Sequence, residues 1–153
     1  QETGQQSSKQ VSDRVQEVAT VGNVTTDRTI DIVNVTVTQA PGAGEIDVQN
    51  ATVSWIDNSG TYQLTSTTAN YSDGGAPSGE EFSYVAVKDS DGSDNVLNDA
   101  DDRLNLVFVV NEFADNLTEG DEVTIKINTM AGATTSIRFT VPESLGQKDA
   151  VEL

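Results

Sequence analysis

From Thr29 onward the chain alternates. Val33, Val35 and Val37 are separated by Asn34, Thr36 and Thr38, a period of two that predicts a strand with one buried face. Ile30 and Ile32 keep the period in the opposite phase, so a bulge is expected at Ile32–Val33. Pro41-Gly42-Ala43-Gly44 predicts a turn, because Pro and Gly supply the dihedrals a turn needs. Ile46 and Val48 open a second strand region, which Val53 and Trp55 continue in the other phase. After a turn at Asp57-Asn58-Ser59-Gly60, Tyr62 and Leu64 mark a third strand. Phe82, Tyr84 and Ala86 alternate in a fourth. Leu104–Val110 is apolar on both faces and so belongs in the middle of a sheet. Val123, Ile125 and Ile127 pair with Ile137, Phe139 and Val141 across a hairpin turn at Met130–Ala133.

Between these strands, Asn70–Glu80 is expected to be a long surface loop, Lys88–Asp102 an acidic loop and Asn111–Gly120 a connection. Pro142 ends the last strand, and Glu143–Leu153 is expected to be a tail. About seven or eight short strands with turn signals every 8–12 residues predict an all-β sandwich or barrel. The N-terminus has another period. Val11, Val15 and Val18 recur at i, i+4, i+7, which predicts a helix from Gln1 to about Val18, stopped by Gly22.

Composition narrows the function. The 153 residues hold 25 Asp+Glu against 8 Lys+Arg, a formal net charge of −17, with no Cys and no His. Disulfides, Cys or His zinc sites and His-based catalysis are therefore excluded within this chain. The few cations are scattered, which argues against a nucleic-acid surface. No run of about 18 apolar residues spans a bilayer, so no membrane contact is expected. The chain opens on Gln1 without a basic, then apolar, leader, so an upstream segment removed or left out is expected. The apolar fraction of 35 % and the high charge are also marks of disorder, but the β-branched alternation argues for a folded domain. At ~1 M salt the Debye length falls to about 3 Å and self-repulsion fades, so the acidity predicts a protein that works in brine.

Two features carry candidate chemistry. Asn23, Asn34, Asn50, Asn70 and Asn116 each open an Asn-X-Ser/Thr triplet with X not Pro, the acceptor pattern for N-glycosylation. Four fall in predicted loops or turns and Asn34 on the polar face of its strand, so all five are expected at the surface. The acidic loop reads KDSDGSDNVLNDADDR, with Asp89, Asp91, Ser93, Asp94 and Asn98 among its oxygen donors. Hard oxygens at this spacing suit Ca²⁺, and Gly92 allows the turn that gathers them. The residues are equally read as a solvated acidic loop, and the match to an EF-hand is poor: Gly92 falls at the fourth place and no Glu closes the loop. No carboxylate pair stands out for glycoside hydrolysis, and an enzyme is not expected. Trp55, the lone Trp, is expected in the core.

Both ends of the chain resemble a known family. Thr3-Gly4, a polar Ser/Gln-rich turn and Val11-Ser12-Asp13-Arg14-Val15 are similar to the segment after the hydrophobic helix of haloarchaeal archaellins, the filament proteins of archaeal motility. Gly120-Asp121-Glu122-Val123, a hairpin and Val141-Pro142-Glu143-Ser144-Leu145 resemble the family's C-terminal stretch. The resemblance implies a mainly β, immunoglobulin-like antiparallel sandwich preceded by a short N-terminal α-helix. Residues 1–20 would be the end of the filament-core helix and 21–153 the outer domain. It implies a structural subunit of an extracellular, cell-surface filament, polymerised with itself or other archaellins and bearing N-linked glycans on the five asparagines. Asp89-Ser90-Asp91-Gly92-Ser93 matches the family's Asp-X-Asp-X-Ser segment linked to a metal, which implies a structural Ca²⁺ with Asp94 and Asn98 as further donors. The alternative reading is a halophilic surface adhesin or S-layer-type β-sandwich module.

Overall fold

The computed structural model describes residues 14–89, 92, 95–99, 101–145 and 149–153. Among these residues eleven strands form the fold: β1 (Val15–Val24), β2 (Ile30–Gln39), β3 (Ile46–Asp47), β4 (Thr52–Asp57), β5 (Gly60–Ser66), β6 (Glu81–Lys88), β7 (Val96–Leu97), β8 (Arg103–Val109), β9 (Glu122–Asn128), β10 (Thr134–Thr140) and β11 (Ala150–Glu152). Nine make one curled sheet in the order β10-β9-β4-β5-β6-β8-β2-β1-β11, while β3 and β7 pair separately. The sheet folds over itself into a sandwich. The Thr135 hydroxyl on β10 donates to the Val15 carbonyl on β1 at 2.6 Å, which brings one end strand of the sheet against the strand next to the other end.

Alternation sets the inner face. Val33, Val35 and Val37 of β2, and Leu104, Leu106 and Phe108 of β8, are buried opposite one another in register. From the other half come Val53, Trp55, Ile125, Ile127, Ile137 and Phe139. Trp55 is fully buried as expected, its ring 5.4 Å from Phe108 and 5.3 Å from Phe113. Strand β8 lies between β6 and β2, the central place its apolar sequence predicts. Among the described residues the single parallel pairing, Thr65↔Glu81 and Ser66↔Phe82, joins the two halves. A parallel pair needs a crossover of a dozen or more residues. Residues 67–80 provide it, and Thr67 bonds the buried Ser83 hydroxyl at 3.1 Å on the way.

Five expectations are corrected. Val15–Val24 is a strand, so no helix reaches Val18; residues 1–13 lie outside the described residues. The apolar spacing misled because the buried positions of β1 include Thr20 and Gly22, while Val18 sits on a bulge and is exposed. The bulge in β2 falls at Asp31, one residue before the place expected: Asn23 pairs with Ile32, and Val24 with Ile30. The hairpin turn is where expected, but Ile127 faces Thr135 and Ile125 faces Ile137, so the register is displaced by one pair. The tail is not free. β11 pairs with β1, and Leu145 and Val151 are buried. Within the acidic loop, Val96–Leu97 forms β7 against β3.

Candidate glycan and cation sites

The sequon asparagines occupy distinct local settings. Asn23 stands on the outer face of β1, exposed, and its amide donates to Asp31 Oδ1 at 2.8 Å. Asn34 lies on the outer face of β2, half-buried, opposite Val21 on β1 and Val107 on β8. Asn50 closes a short 3-10 turn, Val48–Asn50, and is exposed; its amide donates to Asp47 Oδ2 at 2.8 Å. Asn70 caps a second 3-10 turn, Tyr71–Asp73, accepting from the Asp73 N–H at 2.9 Å. The local reason is the same at Asn70 and Asp47: a short polar side chain satisfies an N–H that the turn leaves open.

Asn116 differs. It is half-buried, its amide donates to Thr29 Oγ1 at 3.3 Å, and its Oδ1 is buried with no hydrogen-bond partner. Backbone bonds tie the adjacent residue down: Ile30 N–H to Leu117 O at 2.8 Å, and Leu117 N–H to Ile30 O at 3.0 Å. The sequence pattern predicts all five asparagines at the surface, and the enclosed Oδ1 sets this one apart.

Of the candidate cation ligands, Asp89 and Asn98 are described, while Asp91, Ser93 and Asp94 lie outside the described residues. Asp89 follows β6 directly and Asn98 follows β7, so both are carried by strand ends. Gly92 has φ 71°, the left-handed turn expected of it. The Asn98 N–H donates to the buried Asp102 carboxylate at 3.1 Å. Asp99 accepts from the Asp101 and Asp102 N–H groups through its side chain and carbonyl. These two aspartates therefore hold the loop's own backbone. Among the described residues, no group of three or more carboxylates is arranged to hold a metal.

A surface hollow of about 300 Å³ at one end of the sandwich collects Asp57, Asp115, Asn116 and Asp121. Two of these carboxylates are already engaged. Asp57 Oδ2 accepts the Trp55 indole N–H at 2.9 Å, and its Oδ1 accepts the Ser59 N–H at 2.8 Å. Asp121 accepts the Thr118 N–H at 2.8 Å and the Asn58 amide at 3.1 Å. They pin two turns to the end of the core. The Asp-Asn-Ser-Gly pattern at 57–60 signals the first turn in sequence; nothing in sequence ties Asp121 to Asn58.

Comparison with known proteins agrees with this architecture. The family model described as archaeal-type flagellin matches residues 1–139. Flagellin A2 and Flagellin B1 of Halobacterium salinarum are each 38 % identical, over 151 and 152 residues, covering 99 % of this chain and 75 % of theirs. The fold superposes on archaeal flagellin FlaB1 from Methanocaldococcus jannaschii with a TM-score of 0.78 at 22 % identity, covering 90 % of this chain and 94 % of that one. A subunit of the archaeal flagellum of Methanospirillum hungatei gives 0.63 at 16 % identity, covering 94 % and 74 %.

Proposed function

The chain belongs to the archaeal-type flagellins, and we propose that its β domain is the outward-facing, brine-exposed and glycan-bearing part of the filament subunit. The protein is a structural subunit of the archaeal motility filament, located outside the cell and polymerised with copies of itself or with other archaellins. The observation that carries this is identity along almost the whole chain to flagellins of a halophile. Its relatives are structural flagellins rather than enzymes, and the absence of His and Cys agrees with a mechanical role.

The outward role is supported by three features. The net charge of −17 suits molar salt, where screening removes the repulsion between stacked subunits. Asn23 and Asn50 present exposed sequon amides. The Asp89–Asp94 segment offers only oxygen donors, the set a structural Ca²⁺ takes; the ion would tie together the stretch between β6 and β7. The experiment is genetic. Removing the full-length subunit together with any close paralogues should abolish filaments and swimming, and restoring it should return both. Motile cells with intact filaments after removal would defeat the reading.

A further inference from the structure

Asn34 stands in the middle of the outer face of β1, β2 and β8. Its own row runs Val21–Asn34–Val107, the row before it Asn23–Ile32–Val109, and the row after it Ala19–Thr36–Asn105. Five of its eight neighbours are therefore aliphatic, and none carries a charge. Cross-strand neighbours on one face stand about 4.5–5.5 Å apart, so a group attached to Asn34 meets those beside it. The face is closed on one side. Val107 is buried, and beyond it in the row the crossover covers Ser83 of β6, where Thr67 bonds its hydroxyl at 3.1 Å. It is open on the other side, where Val21 of β1 is 37 % exposed.

The hydrogen bonding of the sequon amides singles out the same residue independently. Four of the five donate from Nδ2: Asn23 to Asp31, Asn50 to Asp47, Asn70 to Asp73 and Asn116 to Thr29. Among the described residues, Asn34 makes no side-chain hydrogen bond, and its amide is open to solvent. No described residue uses this amide, although it stands among aliphatic side chains.

We infer that the outer face of β1-β2-β8 is the seat of the glycan carried by Asn34, which lies toward β1 and covers Val21; this rests on the glycan-bearing reading. Attachment exchanges one Nδ2 hydrogen for a bond to the anomeric carbon of an activated glycosyl phosphate. The phosphate leaves with that proton, and the amide keeps its other N–H. A sugar ring presents both C–H faces and hydroxyls. Its C–H faces pack on Val21, Ile32 and Ala19 and take apolar surface out of water. Its hydroxyls meet the uncharged polar groups of Asn23 and Thr36, so no carboxylate is desolvated beneath it. The crossover at β6 blocks the other direction. The contact is not electrostatic, so molar salt leaves it intact.

Hydroxyl-radical footprinting tests the seat, because it oxidises exposed aliphatic side chains. Full-length subunits made in cells that glycosylate them are dissociated from filaments and oxidised, and each site is read by peptide mass. Loss of a bulky glycan through Asn34→Gln should raise oxidation of Val21 at least about twofold. Thr36→Val, which destroys the sequon but keeps Asn34, should do the same. Val87, exposed on β6 away from this face, is the reference and should not change. Asn23→Gln should leave Val21 covered; exposure in that variant would assign the cover to the neighbouring sequon and overturn the seat. Equal oxidation of Val21 with and without a glycan on Asn34 would overturn it too, as would protection seen only in intact filaments, which would assign the patch to a second copy. A bare Asn34 in native subunits would instead overturn the glycan reading beneath it.

Discussion

Gly22 on β1 lies against Leu153 at the chain's C-terminus: a β-carbon at position 22 would come within 3.0 Å of Leu153 Cδ1 and of two Ile30 side-chain carbons. The missing side chain makes the seat for the C-terminal strand. Backbone bonds from Val24 N–H to Asp149 O and from Leu153 N–H to Thr20 O, both 2.8 Å, fix it there. Gly22→Val should therefore overpack the site and cost about 1–3 kcal/mol. Thermal melting should show the loss, and limited proteolysis should show β11 released first. A variant with unchanged melting and an uncut C-terminus would contradict this seat.

Asp57 does two jobs from one carboxylate, holding the Trp55 indole and the turn to Gly60. Asp57→Ala leaves the indole N–H without its acceptor, at a cost of about 1–3 kcal/mol. Because Trp55 is the only Trp, its emission reports the change directly. The expected outcome is an altered emission spectrum together with a lower unfolding midpoint in denaturant.

The crossover on the outside of β6 depends on Gly75. A β-carbon there would sit 1.8 Å from the Ala69 carbonyl oxygen, a backbone atom that cannot swing aside. Gly75→Ala should break the Gly75 N–H to Asn70 O bond of 2.9 Å and lift the loop, at about 3 kcal/mol, the upper end of common substitutions. Hydrogen exchange should accelerate in residues 67–80 and at Ser83 beneath, leaving β9 and β10 protected. Uniform acceleration throughout the sheet would mean that the loop is not an independent cover.

Sequon occupancy should follow burial. Peptide mapping of native filaments by mass spectrometry is expected to find Asn23 and Asn50 modified and Asn116 bare. The Asn116 side chain is held beside Thr29 with its Oδ1 enclosed, so a glycan there requires the Ile30–Leu117 contact to open. High occupancy at Asn116 would show that modification precedes folding.

Calcium should raise stability at fixed high ionic strength. A ligand at 100 times its Kd adds roughly 2.7 kcal/mol. Melting with Ca²⁺ against EDTA, at constant ionic strength, separates a bound ion from general screening. Asp91→Asn together with Asp94→Asn should abolish the difference. Identical melting of the unsubstituted protein in both conditions would remove the cation from the proposal.

The two ends of the chain mark what was readable and what was not. Strands β2, β4, β9 and β10 are legible because each alternates apolar and polar residues against one buried face, and β8 because it is apolar on both faces, all local properties. β1 is not, because Thr20 and Gly22 are buried among its neighbours without being apolar, and Val18 is apolar without being buried. The spacing of Val11, Val15 and Val18 imitates a helix only while the partner strand is unknown. β11, three residues long, carries too little pattern to declare itself. Its place is decided by the edge β1 leaves open and by the space above Gly22.

For the sites the division is similar. Sequence alone determined the all-β class, the absence of His and Cys chemistry, the acidity suited to brine, the five Asn-X-Ser/Thr triplets and the oxygen-rich segment after Asp89. Those are matters of residue type and near-neighbour order. Only the tertiary structure decided that the Asn116 Oδ1 is enclosed while Asn23 is exposed, and that Asp57 and Asp121 secure turns. It alone set β4 beside β9, far apart in the chain. Burial, register and shared faces join residues far apart in the chain, and they exist only once the sheet has curled and brought Thr135 against Val15.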